Sequence, residues 1–288
     1  DVYKWFKNLE FKSLISRFGS MEIDQSLEIE KNFSVIENLS EADLVFANIK
    51  PMDNQPIGLY MIIDNNELLG VSLCFSEKKI YLIKKVGMIT EDYLTNQVEK
   101  LAKNKFSFSV IGLKNQLKYL KVSEDDLVFD PAIAAYLLNP LTDTYHYDDI
   151  ARDYLGITIP SVEDLLGKMK LKEAMEKMPK EFTAYACYSS YVAYKAAPRL
   201  KKQLDETGML KLFEEIELPL IFTLYDMEVR GIRVNKEALK EYGDHLKVGI
   251  DSLEKQIYEL VGETFNINSP KQLGVILFEK LKLPFAKK

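Results

Sequence analysis

The sequence has few of the features that mark disulfide-bonded, secreted or membrane-spanning proteins. Its 288 residues contain two cysteines, Cys74 and Cys187, and both lie in apolar surroundings. Such cysteines argue against a disulfide framework or a thiolate metal site and favour a reducing compartment, so we expect a cytoplasmic protein. No apolar run approaches the roughly 18 residues that a membrane helix needs, and the N-terminus has no signal-peptide pattern. Neither a membrane span nor secretion is therefore predicted.

Excess positive charge is also missing. Lys and Arg number 38 against 44 Asp and Glu, a formal net charge of -6. This balance excludes a uniformly basic surface that coats nucleic acid, but it does not exclude a local basic patch. With 47% hydrophobic and 28% charged residues, the composition excludes disorder and predicts a soluble globular chain. The length of 288 residues favours two domains over one large one. Because the first residue is Asp1 and not Met, we expect a piece of a longer protein.

The hydrophobic period changes along the N-terminal half. Over residues 1–18, apolar residues at three- and four-residue steps predict one amphipathic helix or two short ones: Val2, Trp5, Phe6, Leu9, Leu14, Ile15 and Phe18. An acidic, Ser- and Asn-rich stretch over 20–34 is predicted to be a linker. Short apolar runs then predict five strands in the order βββαβαβ: residues 57–63, 68–75, 80–83, 106–111 and 127–129. This order is typical of a ribonuclease-H-like mixed sheet flanked by helices, so the predicted fold class is α/β.

From Asp130 onward the pattern is helical. Asp130 followed by Pro131 predicts a helix N-cap and a first helical residue. Helices are predicted over residues 132–138, 148–155, 162–178, 182–204, 210–229 and 236–261, the last with a single apolar stripe. We therefore predict three parts: an N-terminal helix and linker (1–50), the α/β domain (51–207) and an all-α helical-hairpin segment (208–288).

A segment near the C-terminus carries the most specific resemblance to a known family. Residues 265–281 read Phe-Asn-Ile-Asn-Ser-Pro-Lys-Gln-Leu-Gly-Val-Ile-Leu-Phe-Glu-Lys-Leu. This stretch closely resembles the thumb subdomain of bacterial family A DNA polymerases, the DNA polymerase I group. Residues 217–220, Glu-Leu-Pro-Leu, and residues 227–235, Met-Glu-Val-Arg-Gly-Ile-Arg-Val-Asn, resemble the helix that leads into that thumb. A weaker resemblance through residues 129–139 extends the match to nearly the whole chain. The resemblance as a whole implies a fragment of a DNA-directed DNA polymerase acting in replication and repair.

The thumb-like segment also has a physical interpretation of its own. Asn268 or Ser269 is a suitable N-cap and Pro270 fits the first turn, so free backbone N–H groups there can receive a phosphate. A well-capped helix without any ligand has the same pattern, but in the family the thumb holds the duplex along its minor-groove side. The resemblance thus implies a set of residues that grip the DNA backbone: Asn266, Asn268, Ser269, Lys271 and Gln272. Residues 269–288 add a local basic patch, with five lysines against one glutamate.

The resemblance further implies a nuclease site, whose motifs are incomplete in this sequence. In proofreading members of the family, the ribonuclease-H-like domain is a 3′-to-5′ exonuclease in which carboxylates hold two divalent metals. The first strand, residues 57–63, lacks the family's Asp-x-Glu pair. The second motif has Lys118 at the position of an Asp, and the third keeps Tyr185 but has Ser189 instead of the metal-binding Asp. Because Mg²⁺ and Mn²⁺ prefer anionic oxygen ligands, we predict a vestigial, inactive exonuclease domain.

Three hypotheses stay open at this point. The preferred one is a polymerase fragment with an inert exonuclease-like domain and a thumb that binds primer-template DNA. The second is an active metal-dependent exonuclease with rearranged ligands, for example Asp64, Glu67 and Asp130, and the third is an interaction module without DNA contact. The resemblance places the palm and fingers, with the Mg²⁺ of the polymerase, beyond Lys288. They are expected partners of this chain, which needs no cofactor itself and should not polymerise alone.

Overall fold

The computed structural model describes residues 25–50 and 55–284. The molecule divides into two compact units, Asp1–Val229 and Arg230–Lys288. The amphipathic segment predicted over residues 1–18 lies outside the described residues. Among the helices that are described, none is long and apolar enough to cross a membrane.

A mixed six-stranded sheet forms the centre of the first unit. Its strands are β1 (Phe33–Ile36), β2 (Ile57–Asp64), β3 (Glu67–Ser76), β4 (Lys79–Lys84), β5 (Phe108–Ser109) and β6 (Val128–Phe129). They lie in the spatial order β1-β4-β3-β2-β5-β6. The β2–β3–β4 meander is antiparallel, whereas β1 runs parallel to β4, and β5 and β6 run parallel to β2. The predicted α/β fold class is confirmed.

Helices cover both faces of this sheet. The chain first forms α1 (Gln25–Glu30) and α2 (Leu39–Ala47), and after the meander α3 (Glu91–Lys103), a 3-10 turn (Leu113–Gln116) and α4 (Leu117–Leu120). Beyond β6 follow α5 (Pro131–Leu138), α6 (Tyr147–Ile150), α7 (Val162–Leu166), α8 (Leu171–Lys177) and α9 (Pro179–Glu206). The unit ends with α10 (Leu210–Leu212) and α11 (Leu218–Arg230), and wider π-type turns extend α6 and join α10 to α11.

Side chains of β2 alternate between two hydrophobic cores. Leu59 and Met61 point into the core formed with α2, α3 and α4, whereas Ile62 and part of Tyr60 point into the core formed with α5 to α9. The 28-residue α9 packs across β2 and β3. The sheet is therefore buried on both sides, and anything projecting from β2 toward α9 must fit a closed layer.

Two elements occur where the sequence predicts a linker. Since α1 and β1 are regular elements, the linker predicted over 20–34 is wrong from Gln25 onward. β1 has four residues and pairs only with β4 among the described strands, so Ser34 and Val35 remain exposed. A short edge strand with one fully buried residue has almost no hydrophobic pattern by which the sequence can identify it.

Local signals in the second half match the structure more closely. Asp130 is the N-cap of α5, with its side chain accepting from the N–H of Ala132. The helix predicted over 162–178 is instead divided into α7 and α8, because Gly167 ends α7 with a φ of 59°. Such a positive φ suits glycine and stops the helix.

The second unit is helical. Its long helix α12 (Lys236–Val261) begins at the N-cap Asn235 and ends at Gly262, which has a φ of 76°, so the helix predicted over 236–261 is confirmed. A short helix, α13 (Pro270–Gly274), continues as a π-type turn (Val275–Lys280). Residues 208–229 lie in the first unit, where Phe213 and Ile221 are buried.

Candidate nucleic-acid interface and nuclease-like face

The face of β2 on which a nuclease motif would project lies against α9. Gly58, Tyr60 and Ile62 share this face, because alternate residues of a strand point the same way. At Gly58 the backbones nearly touch: a Cβ atom there would lie 2.0 Å from the carbonyl oxygen of Ser190 and 2.7 Å from the Cβ of Tyr194. This approach leaves no room for a carboxylate at Gly58.

Tyrosines fill the space beside the contact between β2 and α9. We call four of them the tyrosine cluster: Tyr60, Tyr147, Tyr185 and Tyr188. The hydroxyl groups of Tyr60 and Tyr185 hydrogen-bond to each other, and their ring centroids lie 5.7 Å apart, edge to face. Tyr147 contacts Tyr185 at 6.0 Å and stacks on Tyr188 at 6.3 Å. Burial raises the pKa of both Tyr60 and Tyr185. Tyr60 and Tyr185 are therefore uncharged at neutral pH and supply no anionic oxygen to a metal.

Ser189 lies one helical turn after Tyr185 on α9, so the two predicted vestigial positions share a face. The hydroxyl of Ser189 donates to the carbonyl oxygen of Tyr185 at 2.9 Å, and the residue is buried. Its neighbour Ser190 shares a 2.7 Å hydrogen bond with Ser72 of β3. Both serines thus satisfy their hydroxyls within the packed layer and act as small packing residues.

Lys118, the third predicted vestigial position, lies on α4 beside the β2–β3 turn. Its Nζ atom donates to the carbonyl oxygen of Asn66 at 3.0 Å and lies 4.8 Å from the centroid of the Tyr119 ring. The Tyr119 hydroxyl donates to the same carbonyl. The structure therefore brings Tyr185 and Ser189 together, while it ties Lys118 to the hairpin turn.

Gln116 has a structural role that sequence reasoning missed. β5 accompanies β2 only at Ile57 and Gly58, so β2 runs on beyond its short neighbour. There the buried Gln116 side chain supplies hydrogen bonds in place of the missing strand. Its Oε1 accepts from the N–H of Met61 at 2.7 Å, and its Nε2 donates to the carbonyl of Ile111 at 2.8 Å. A single glutamine in a polar stretch gives no sequence signal for such a bridge, since only the difference in strand length creates the need for it.

The carboxylates of the rearranged-ligand hypothesis lie too far apart to share a metal. Asp130 follows Phe129, which is in register with Gly58 through β5. Asp130 thus lies one residue beyond the level of Gly58, whereas Asp64 lies six residues beyond it. The two carboxylates are therefore offset by five residues along the strand direction, roughly 17 Å. Glu67 follows Asp64 across the hairpin turn, and so it is also distant from Asp130.

Each of these three carboxylates also has a structural task. Buried Asp130 accepts from the N–H groups of Leu113 at 2.8 Å, Ala132 at 2.9 Å and Gly112 at 3.2 Å. Its oxygens thereby fix the loop after β5 to the start of α5. Carboxylates that already accept several backbone N–H groups are poor candidates for metal ligands.

Asp64 and Glu67 anchor the hairpin turn to α8. The side chain of Asp64 accepts from the N–H of Lys172 at 3.0 Å. Glu67 pairs with Lys172 at 2.7 Å and with Lys85 at 3.0 Å. Hydrogen bonds from these two lysines lower the pKa of Glu67 to about 2. Both acids are therefore engaged in tying elements together.

The residues present do not fit a divalent-metal nuclease site. Among residues 25–50 and 55–284, no group of three or more His, Cys, Asp or Glu side chains is arranged to hold a metal ion. The nuclease-like face offers phenols, serine hydroxyls and a nearby ammonium group, and these are not the anionic oxygens that Mg²⁺ and Mn²⁺ prefer.

The second candidate site is the segment of residues 263–272, which connects α12 to α13 and includes the first residues of α13; it is called the thumb-like loop below. Ser269 is the N-cap of α13, and its hydroxyl accepts from the N–H of Gln272 at 3.5 Å. The side chain of Gln272 makes a further bond, in which its Oε1 accepts from the N–H of Asn266 at 2.8 Å. The Oδ1 of Asn266 accepts from the N–H of Asn268 at 3.0 Å. Three predicted DNA-binding side chains thus shape the loop itself.

The thumb-like loop is held both to the end of α12 and to the turn that follows α13. The hydroxyl of Tyr258 donates to the carbonyl of Phe265 at 3.1 Å, and the two rings meet at 5.9 Å. Lys280 pairs with Glu263 at 2.7 Å. The loop is therefore fixed in shape before any ligand arrives, which reduces the entropy lost on binding.

The lysines of this region differ in what they contact. Lys271 is exposed, and within the described part of the chain no carboxylate forms an ion pair with it. Lys280 is already paired with Glu263. Lys287 and Lys288 of the predicted basic patch lie outside the described residues. Lys271, next to the cap of α13, is the lysine best placed to meet an anion.

The chain is similar in sequence to known DNA polymerases. Residues 236–288 match the family described as DNA polymerase family A. The whole chain is 33% identical to DNA polymerase I of Bacillus subtilis (strain 168), and 99% of it is 32% identical to DNA polymerase I of Streptococcus pneumoniae (strain TIGR4). It covers 32% and 31% of those proteins, so it spans about a third of the curated relatives it matches.

A solved structure supports the fold. The POL domain of Pol1 from M. smegmatis, in complex with DNA primer-template and dNTP, superimposes with a TM-score of 0.61 at 20% identity. The match covers 88% of this chain and 42% of that chain. At this identity the likeness concerns the fold alone.

Proposed function

Since the chain belongs to DNA polymerase family A, we propose that it is part of a DNA-directed DNA polymerase of replication and repair. Residues 51–207 form an exonuclease-like domain that is inactive and structural, and residues 208–288 form part of a thumb that binds primer-template DNA. Polymerisation, with Mg²⁺ as cofactor, belongs to the whole protein in the bacterial cytoplasm. The palm and fingers are then the partners of this chain.

The observation that carries the inactive domain is the closure of the nuclease-like face. Gly58 lies against the backbone of α9, and Tyr60 bonds to Tyr185 where metal-binding carboxylates are needed. Without charged oxygens, two metal ions have nothing to hold them, and the water that attacks the phosphodiester is not activated.

This inactivity is tested with the chain and a single-stranded DNA labelled at its 5′ end, in Mn²⁺ and separately in Mg²⁺. We expect the full-length band to persist, with a proofreading nuclease digesting the same DNA as control. Shortening of the DNA from its 3′ end that EDTA abolishes would contradict the proposal and revive the rearranged-ligand hypothesis.

The thumb assignment rests on the preformed thumb-like loop and on Lys271. Neutralising a phosphate with a lysine releases a counterion, so binding weakens as salt rises. Lys271→Glu should therefore lower the affinity for primer-template duplexes similarly for all sequences, and reduce the slope of log K against log salt by about 1. Fluorescence anisotropy over a salt series measures both quantities.

Lys202→Glu is the matched control, because Lys202 is exposed on α9, outside the proposed thumb, and forms an i,i+4 pair with Glu206. This variant changes the net charge equally and should leave binding nearly unchanged. Equal losses in both variants would indicate a general charge effect, and salt-independent binding would argue against a thumb that grips phosphates.

A further inference from the structure

Within residues 25–50 and 55–284, the α9 side of the sheet is partly uncovered at the edge strand β1. Phe33 and Val35 share the face of β1 that points to this side. Phe33 packs edge to face on Tyr188, with ring centroids 5.2 Å apart, but Val35 remains 41% exposed. The first turns of α9, including Pro179 and Ala184, form the opposite wall. The result is an open groove of about 670 Å³, called the edge groove below.

The rim of the edge groove is more acidic than basic. Glu30, Glu37 and Glu41 line it, against Lys84 and Lys180. Lys84 and Glu37 neutralise each other, since the Nζ of Lys84 lies 2.8 Å from the Oε1 of Glu37, and this leaves Glu30 and Glu41 against Lys180. An occupant of this groove should therefore combine apolar side chains for its floor with positive charges for its rim.

Residues 2–18 of the same chain have this combination. Their apolar side chains recur at helical spacing, and they carry four basic residues against one acidic residue: Lys4, Lys7, Lys12 and Arg17 against Glu10. The groove is also within reach. The described chain begins at Gln25 with α1, and α1 ends at Glu30 on the groove's rim. A tethered segment has a high effective concentration at such a neighbouring surface.

We propose that residues 2–18 dock in the edge groove, with apolar side chains against Phe33 and Val35 and basic side chains toward the glutamates of the rim. Docking of the segment covers the exposed floor of the groove on the α9 side of the sheet. It also protects β1, the edge strand, which otherwise offers unpaired backbone groups to other chains. The N-terminal segment is then an integral part of the exonuclease-like unit.

Trp5 makes the proposal directly measurable, because it is the only tryptophan in the chain. In the full chain, we expect Trp5 emission at a shorter wavelength and weaker quenching by acrylamide than in the urea-unfolded chain. Val35→Lys places a charge on the apolar floor and repels the basic segment. It should weaken docking by about tenfold or more, which shifts the emission to longer wavelength and raises the quenching constant.

Leu44→Lys is the matched control, since Leu44 is 62% exposed on α2 and does not line the groove. This variant should leave Trp5 emission unchanged. Glu41→Lys is a second test that leaves the apolar floor intact, and it should release Trp5 in part, more so at low ionic strength. Far-ultraviolet circular dichroism confirms that each variant is folded.

Three results would overturn the proposal. Trp5 as accessible in the folded chain as in urea would mean that the segment is undocked. Unchanged emission in both Val35→Lys and Glu41→Lys would place Trp5 in a different site. Protection of Trp5 that disappears on dilution would assign the groove to a second copy of the chain.

Discussion

Gly58 sets the distance between β2 and α9 and thereby closes the nuclease-like face. Any side chain at this position meets the backbone of α9, because a Cβ atom would lie 2.0 Å from the carbonyl oxygen of Ser190. Backbone atoms in the middle of a packed helix cannot move aside as a flexible side chain can. The glycine is therefore required by close approach, and not by its φ angle.

Gly58→Ala should consequently destabilise the first unit. Forcing one methyl group into this contact is overpacking, which typically costs about 1–3 kcal/mol. Urea unfolding followed by circular dichroism measures the change. As control, Gly249→Ala on α12 should stabilise its helix by about 0.5–1 kcal/mol, since nothing lies within 4 Å of a Cβ there. Equal stability of wild type and Gly58→Ala would mean that α9 lies further from β2 than described.

Asp130 is a second residue at which structural and catalytic roles make different predictions. Asp130→Ala removes an N-cap and leaves the buried N–H of Leu113 without its acceptor. We expect a loss of about 2–4 kcal/mol, about 1 from the cap and about 1–3 from the unsatisfied N–H group. Asp125→Ala, at an exposed position nearby, is the control and should change little. Mn²⁺ should leave the melting temperature of the wild type unchanged, whereas a metal-binding Asp130 would raise it.

At the scale of elements, ion pairs join the β2–β3 hairpin to α8. Glu67 contacts both Lys85 and Lys172, and these bonds lower its pKa from 4.5 to about 2. A carboxyl with a lowered pKa in the folded state contributes stability above its unfolded pKa and loses that contribution as the pH falls through its folded pKa. The contribution of Glu67 is thus complete above about pH 4.5 and lost toward pH 2.

Glu67→Gln should therefore be less stable than the wild type at neutral pH and approach it as the pH falls from about 4.5 toward 2. The size of the difference is small, since the ion pairs are at the surface and are screened by salt. Urea unfolding at several pH values measures this convergence. Glu124→Gln, at an exposed position, is the control, and its stability relative to the wild type should not change with pH in this way. A constant difference across this pH range would show that the ionised carboxylate is not what holds the hairpin to α8.

The elements differ in how well the sequence predicts them. α12 is predicted to its last residue, because its apolar stripe is long and regular, and in the structure Asn235 and Gly262 cap its two ends. β1 is missed, because four residues at an edge carry little pattern. The contact between Tyr60 and Tyr185 is also beyond prediction: the two are 125 residues apart, and β2 is buried on both faces, so it has no alternation to show which side faces α9.

At the candidate site, the sequence predicts the chemistry of the side chains better than their contacts. The resemblance to the family's motifs predicts which ligands are missing, since it sets Lys118 and Ser189 at positions of carboxylates that they cannot replace. It does not predict that Lys118 binds the carbonyl of Asn66, because that contact depends on how α4 meets the hairpin. Resemblance locates the thumb-like loop, but only the structure reveals that Asn266 and Gln272 bond within it.

At the scale of the whole molecule, the two units bury very different amounts of apolar surface. The first contains two extensive cores on either side of its sheet. Among the described residues after Val229, only Val261 and Ile276 are buried hydrophobic residues. The apolar stripe of α12, with Leu239, Tyr242 and Leu246, is exposed. With so little burial to offset the entropy of ordering its chain, the second unit should open far more often than the first.

Limited digestion with trypsin should therefore separate the two units. We expect the first cuts after Arg230 and Arg233, because the backbone between α11 and α12 is non-helical and Ile232 is 92% exposed. A fragment ending at these arginines should then persist while the remainder is degraded, and mass spectrometry identifies both ends. The double variant Arg230→Gln/Arg233→Gln is the control and should delay separation without protecting α12. Initial cleavage within α9, at Lys195 or Arg199, would show instead that the first unit is the less stable one.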